Sequence, residues 1–133
     1  MLKRNKRFLL MLLIFALPFG CVGCASDGSS VTYEQISGAE AKALMDSESG
    51  YVIIDARTQE EYDQGHIPGA ILIPEYEIAD RAENELPDKD QLILVYCRSG
   101  RRSKIAAEEL VKLGYTNVKE FGGIIDWEYE IVK

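Results

Sequence analysis

A cysteine followed at once by arginines and a glycine is the feature of this 133-residue sequence that points most clearly to chemistry. Cys97 comes directly after the apolar run 92–96, and a helical pattern opens at Ser103. The residues between them are Arg98, Ser99, Gly100, Arg101 and Arg102. A strand, a tight loop and a helix N-terminus present backbone N–H groups that favour an anion. The same surroundings push a thiol toward the nucleophilic thiolate. The spacing therefore predicts sulfur chemistry on an anionic substrate.

The segments around Cys97 belong to an alternating pattern of strands and helices. Apolar runs bounded by turn residues predict strands at 31–36, 51–54, 70–73, 92–96 and 118–121. Capping residues and helical spacing of apolar residues predict helices or helical turns after Ser37 and Thr58 and at 76–86, 103–113 and 125–127. The predicted breaks in this pattern include Gly50, Pro74 and the Gly122-Gly123 pair.

This alternation predicts an α/β fold with a mostly parallel sheet of about five strands and helices on both faces, a three-layer arrangement. Ligands of such sheets bind at the carboxyl ends of the strands. Asp55 and Cys97 each follow a predicted buried strand directly. We therefore expect both residues at the same edge of the sheet.

The N-terminus has the pattern of a secretory signal over residues 1–24. Its positive region contains Lys3, Arg4, Lys6 and Arg7, and the apolar run 8–19 is too short to span a bilayer comfortably. A glycine directly before a cysteine at the end of such a run resembles the lipobox of bacterial lipoproteins. In that class the cysteine is lipidated and becomes the mature N-terminus.

Two cysteines fit this lipidation position, and Cys24 is preferred over Cys21 because the polar segment 25–30 follows it as a flexible tether. The predicted folded domain then covers residues 31–133. An ordinary cleaved signal peptide and an uncleaved short anchor are the alternatives. The expected location is the extracytoplasmic side of a bacterial membrane.

Loss of the predicted signal changes the charge and the thiol content of the chain. Removing residues 1–23 takes away four of the 15 basic residues and none of the 22 acidic ones, which leaves a net charge of −11. Such a domain is not expected to bind nucleic acid, or an anionic membrane through its general field. With Cys21 removed and Cys24 lipidated, Cys97 is the one free thiol. An unpaired cysteine in an exported protein favours a functional role over a buried inert one.

Several separated motifs, in this order, resemble those of rhodanese domains. The match extends from residue 33 to residue 127, and its ordered motifs are more specific than any one of them alone. They are Asp55-Ala56-Arg57, Glu61-Tyr62, Gly65-His66-Ile67-Pro68-Gly69-Ala70, Val95-Tyr96-Cys97-Arg98-Ser99-Gly100-Arg101-Arg102-Ser103, Ala106-Ala107, Leu110, Gly114-Tyr115, Gly122-Gly123-Ile124 and Trp127.

The resemblance implies a rhodanese-like fold and a sulfurtransferase. Cys97 would take the outer sulfur of a small anionic donor such as thiosulfate, hold it as a persulfide and pass it to cyanide or a thiol. Backbone N–H groups of residues 98–103 would cradle the persulfide, and the guanidinium groups of Arg98, Arg101 or Arg102 would hold the donor. No cofactor is implied. One histidine and one free cysteine provide no Cys/His metal site.

The remaining motif residues have a supporting or a structural interpretation. Asp55 either accepts N–H bonds of the cysteine loop or caps the turn that follows it. Arg57 and Glu61, four residues apart, have the spacing of an ion pair. His66 is either a general base or a residue that shapes its loop, and the family segment favours the second role. Tyr96 and Trp127 are expected in the core.

Two other functions compete with sulfur transfer. Cysteine phosphatases place an arginine six residues after the cysteine, a position that Ser103 occupies here, whereas Arg102 is five residues after Cys97. The shorter loop disfavours a tetrahedral phosphate, and an arsenate-reductase-like role is more distant still. The second alternative is a persulfide carrier or sensor that serves a protein partner. Retention of the cysteine with its arginines favours chemistry.

Overall fold

The computed structural model describes residues 32–133. The predicted signal peptide at 1–24, the tether at 25–30 and both candidate lipidation residues, Cys21 and Cys24, lie outside the described residues. Within 32–133, no helix combines the length and the apolar character needed to cross a membrane.

Five parallel strands form one sheet in the order β1-β5-β4-β2-β3. The strands are β1 Glu34–Gln35, β2 Val52–Asp55, β3 Ile71–Leu72, β4 Ile93–Cys97 and β5 Val118–Gly123. The helices are α1 Gly38–Ser47, α2 Gln59–Gln64, α3 Ile78–Glu85 and α4 Arg101–Lys112, and short 3-10 segments lie at Glu75–Glu77 and Ile124–Asp126. The parallel sheet confirms the predicted α/β class.

Apolar side chains cover the sheet on both faces, which confirms the three-layer arrangement. On one face α3 and α4 pack Ile78, Ala106 and Leu110 against the strands. On the other face Ala41 of α1 packs with Phe121 of β5. The central strand β4 is buried along its whole length, as expected for a strand between two helical layers. Cys97 therefore stands at the end of a fully buried strand.

Two capping boxes begin the helices that precede and follow β2. Ser37 accepts a hydrogen bond from the backbone N–H of Glu40, and the Glu40 carboxylate accepts one from the backbone N–H of Ser37. Thr58 and Glu61 form the same reciprocal pair at the start of α2. Each box satisfies two N–H groups that a helix start would otherwise leave unpaired.

Several predicted boundaries were wrong, and the strand predicted at 31–36 is only Glu34–Gln35. Three other differences concern the site or the elements next to it. The segment predicted as a helix from Tyr76 is first a 3-10 turn and becomes α-helical at Ile78, so Tyr76 stays largely exposed. Helix α4 begins at Arg101 rather than Ser103, because Gly100 takes a left-handed conformation with φ +103° and serves as the N-cap. Strand β5 continues through Gly123 because that residue pairs with Cys97 of β4.

Candidate active site

The Cys97 thiol lies at the bottom of a tight loop between β4 and α4. Cys97 is only 1% exposed. The backbone N–H of Gly100 donates to Sγ at 3.0 Å, and the thiol donates to the Ser103 hydroxyl oxygen at 3.4 Å. The loop therefore curls around the sulfur, with the first turn of α4 directed at it.

The loop shifts the Cys97 side chain toward the thiolate. Burial by itself raises the pKa of Cys97, but its hydrogen bond with the Ser103 side chain and those from the backbone N–H groups of Ser103, Gly100 and Ser99 outweigh it. The net result is a pKa below the ordinary value of a cysteine. A buried sulfur stabilised as an anion in this way is a nucleophile, in contrast to an inert buried thiol.

The end of β5 supports the loop through backbone contact. A Cβ atom on Gly123 would lie 1.9 Å from the carbonyl oxygen of Arg98 and 2.6 Å from the nitrogen of Ser99, which no side chain can occupy. The backbone N–H of Ile125 donates to the same Arg98 oxygen at 3.3 Å. Gly123 thus lets one strand end pass directly beneath the cysteine loop.

The three loop arginines have different surroundings. Arg102 is held by Glu61 of α2 through two hydrogen bonds of 2.7 and 2.8 Å. These bonds from Arg102 lower the pKa of Glu61 to about 2. Arg98 and Arg101 are exposed, and neither forms a salt bridge within residues 32–133. Two guanidinium groups therefore stay available at the rim, while the third is bound within the fold.

Asp55 supports the turn after β2 rather than the cysteine loop. Its carboxylate is completely buried and accepts hydrogen bonds from the backbone and the guanidinium of Arg57 and from the Tyr96 hydroxyl at 2.6 Å. Burial raises the pKa of Tyr96, and the charge of Asp55 raises it further, so the hydroxyl remains a donor. Arg57 pairs with Asp55 in this network, and the Arg57–Glu61 ion pair considered from the sequence is not formed.

His66 has a structural environment. Its ring stacks on Tyr62 with the ring centroids 3.7 Å apart, and its Nδ1 lies 3.0 Å from the Tyr62 carbonyl oxygen. Its backbone pairs with Val132 in an isolated antiparallel bridge. No hydrogen bond within 32–133 joins His66 to Cys97, and these contacts agree with a loop-shaping residue.

Glu120 is a site residue that sequence reasoning missed. It lies in β5, is 3% exposed and accepts hydrogen bonds from the Ser103 hydroxyl at 2.6 Å and from the backbone N–H of Gly122 at 2.8 Å. The sequence signal that could have found it is an acidic residue between Val118 and Phe121 in a predicted strand. Burial of a carboxylate there is costly unless the carboxylate has a partner. Among residues 32–133, no cluster of His, Cys, Asp and Glu is suited to hold a metal ion.

The geometry supports attack by sulfur on an anionic substrate. Loop N–H groups contact the Cys97 sulfur and lower its pKa, and the same loop carries two exposed cations, Arg98 and Arg101. The side chain of Arg102 is engaged by Glu61, so the arginine that is nearest in spacing to a phosphatase arginine is not free to bind phosphate.

Comparison with known proteins agrees with this geometry. Residues 37–130 match the rhodanese-like domain family. The chain is 45% identical over 73 residues to the thiosulfate sulfurtransferase PspE of Escherichia coli, covering 55% of this chain and 70% of that protein. It is 41% identical over 88 residues to a sulfurtransferase of Allochromatium vinosum, covering 65% of this chain and 79% of that protein.

A solved structure described as a rhodanese with anions from Escherichia coli superimposes on 63% of this chain and 99% of its own, with a TM-score of 0.60 and 42% identity. The family match covers most of the described residues and includes the whole cysteine loop. The chain therefore belongs to the rhodanese-like domain family.

Proposed function

We propose that this protein is a thiosulfate sulfurtransferase that carries sulfane sulfur as a persulfide on Cys97. The observation that carries the proposal is the position of Sγ in a loop whose N–H groups lower the Cys97 pKa while the exposed Arg98 and Arg101 stand at the rim. The sulfurtransferase names of the related proteins add support.

In the first half-reaction, the Cys97 thiolate attacks the outer sulfur of thiosulfate. A new bond forms between Sγ and that sulfur as the S–S bond of the donor breaks, and sulfite leaves with the bonding electron pair. A thiolate and a dianion become a persulfide anion and a dianion, so charge is conserved. The loop N–H groups that stabilise the thiolate are placed to stabilise the persulfide as well.

In the second half-reaction, an acceptor attacks the outer sulfur of the persulfide. Cyanide leaves as thiocyanate, or a thiolate leaves as its own persulfide, and Cys97 returns to the thiolate. Because Cys97 is now the leaving group, its lowered pKa favours this step. A protein thiol could serve as the acceptor in place of a small molecule.

The mass of the protein tests the covalent step. After incubation of the full chain with thiosulfate and removal of excess donor, we expect a mass increase equal to one sulfur atom, located on the peptide that contains Cys97. The increase should be absent in Cys97→Ser and should disappear from wild type on addition of cyanide. Wild type that gains no sulfur, or a Cys97→Ser variant that still gains it, would contradict the proposal.

We further propose that the protein is exported and attached by lipid to the outer side of a bacterial membrane. The support is the order of a positive segment, an apolar run too short to span a bilayer comfortably and a glycine before Cys24. Cys21 is the alternative attachment residue. In this arrangement the domain would act on donors and acceptors outside the cytoplasm.

A further inference from the structure

The buried carboxylate of Glu120 lies one hydrogen bond away from the group that contacts the reactive sulfur. Glu120 Oε1 is 2.6 Å from the Ser103 hydroxyl oxygen, which is in turn 3.4 Å from Cys97 Sγ. All three residues are at most 3% exposed. A buried hydrogen-bond chain from the Cys97 thiol through the Ser103 hydroxyl to the Glu120 carboxylate therefore links β4, α4 and β5.

The direction in which the Ser103 hydroxyl donates its single proton decides how this hydrogen-bond chain acts on the sulfur. The oxygen atoms that could accept it are Glu120 Oε1 at 2.6 Å, the Gly100 carbonyl at 3.1 Å and the Gly122 carbonyl at 3.4 Å. The carboxylate is the nearest of these, and a charged acceptor makes the strongest hydrogen bond. With its proton directed to Glu120, Ser103 turns a lone pair toward Sγ and accepts from the thiol.

We propose that Glu120 is a positioning residue that raises the proton affinity of the Cys97 thiol by competing with the sulfur for the hydroxyl proton of Ser103. Ser103 helps the thiolate only when its hydroxyl donates to the sulfur. Glu120 draws that donor away and adds a nearby negative charge. Both effects oppose the backbone N–H groups of the loop, which favour the thiolate.

The consequence for catalysis rests on the proposed function. A thiolate of very low pKa is abundant but attacks weakly, since nucleophilicity falls with pKa. In the sulfur-transfer cycle Cys97 is first the nucleophile and then the leaving group. A carboxylate that limits how far the loop lowers the thiol pKa would keep the first step fast at the expense of the second.

Arg98 and Arg101 of the cysteine loop are exposed, and the other charged groups near this hydrogen-bond chain are held by separate partners. The charge of Cys97 reaches Arg102 of α4, which is bound to Glu61 of α2 and lies within electrostatic reach of Glu75. Lys119, next to Glu120 in β5, pairs with Glu34 of β1. A neutral substitution at Glu120 therefore leaves these pairs intact.

The buried Asp55–Arg57 pair and the Tyr96 hydroxyl form a closed group on β2 and β4. None of their hydrogen bonds within 32–133 involves Glu120 or Ser103. A change in the pH dependence of Cys97 after substitution of Glu120 is thus attributable to the Glu120–Ser103 contact or to the charge of Glu120 itself.

Glu120→Gln tests the proposal because glutamine keeps an oxygen that can accept from Ser103 and Gly122 but removes the charge. The measurement is the rate of iodoacetamide alkylation of Cys97 against pH in the full chain, followed by mass spectrometry of the Cys97 peptide. We expect the midpoint to move to lower pH, by on the order of one unit. We expect the plateau rate at high pH to fall about threefold, as the lower nucleophilicity of a more acidic thiolate requires.

Glu108→Gln is the matched control, since it removes the same charge from an exposed position on α4 and should leave the profile unchanged. The double variant Ser103→Ala with Glu120→Gln tests the route through the hydroxyl. The shift in midpoint from Ser103→Ala to the double variant should be much smaller than the shift from wild type to Glu120→Gln. If Glu120→Gln does not fold, Glu120→Asp replaces it. Aspartate keeps the charge but moves the carboxylate away from Ser103, so the midpoint of Cys97 alkylation should again move to lower pH.

A profile of Glu120→Gln that superimposes on wild type, or that moves to higher pH, would overturn the proposal. A shift of equal size with and without the Ser103 hydroxyl would overturn the route through Ser103. Alkylation is measured on the fully reduced protein without a sulfur donor, so these outcomes do not depend on whether Cys97 accepts sulfur in catalysis.

Discussion

At the scale of single residues, the partners of the arginines distinguish those held within the fold from those left exposed. Arg57 is buried with Asp55, and Arg102 is bound by Glu61, so both act within the fold. Arg98 and Arg101 are exposed at the rim of the cysteine loop. Arginine at neighbouring positions therefore has two different environments.

Substitution of the rim arginines should weaken donor binding. We expect Arg98→Ala and Arg101→Ala each to raise the KM for thiosulfate about tenfold, the loss of roughly 1.4 kcal/mol of charge-assisted bonding, with a smaller change in kcat. Steady-state kinetics at fixed ionic strength provides the measurement.

Arg102→Lys should instead lower the free energy of unfolding in urea by about 1–2 kcal/mol, because lysine cannot replace the two-bond contact with Glu61. An Arg102→Lys variant with native stability and only a raised KM would contradict this division.

At the scale of elements, the contact between the end of β5 and the cysteine loop is a backbone contact. Gly123 pairs with Cys97, and its Cα faces the Arg98 carbonyl so closely that even one methyl group would overlap it. Neither the loop nor the strand can retreat without disturbing the N–H groups that surround the sulfur. The absence of a side chain at this position is thus part of the architecture of the site.

Gly123→Ala should therefore destabilise the protein and disturb the loop. We expect a loss of at least about 2 kcal/mol of unfolding free energy, the range of severe steric changes, and slower alkylation of Cys97 at neutral pH. Gly38→Ala is the control, because a methyl group there meets only ordinary contact with Trp127 at 3.5 Å and stands at the start of a helix. Equal free energies of unfolding for the two variants would contradict this prediction, because they would show that the loop accommodates the methyl group.

At the scale of the whole molecule, the proposed lipid anchor would decide where the proposed sulfur transfer takes place. Metabolic labelling with a palmitate analogue should mark the wild-type protein in bacterial cells and fail to mark Cys24→Ala. Fractionation should place the wild type in the membrane fraction and Cys24→Ala outside it. Labelling that survives Cys24→Ala but not Cys21→Ala would move the anchor to Cys21, and labelling of neither the wild type nor the variants would reject lipidation.

Local features of this protein could be predicted from the sequence alone. The α/β alternation, the strand before Cys97, the capping residue Ser37 and the glycine-bearing loop all depend on neighbours within a few positions. Such features are determined by hydrophobic period, capping and turn chemistry, which act over short stretches of chain. The boundaries that were wrong, at Ile78, Arg101 and Gly123, depend on packing or pairing with distant segments.

The sequence by itself indicated the candidate nucleophile Cys97 and its short loop, and it determined the class of fold that presents them. Only the tertiary structure decided the partners of the charged groups: Glu61 with Arg102 across 41 positions and Glu120 with Ser103 across 17. Spacing had instead indicated a pair between Arg57 and Glu61. The physical reason is that a buried charge takes the partner that the packed strands and helices bring to it, and no local pattern specifies that neighbour.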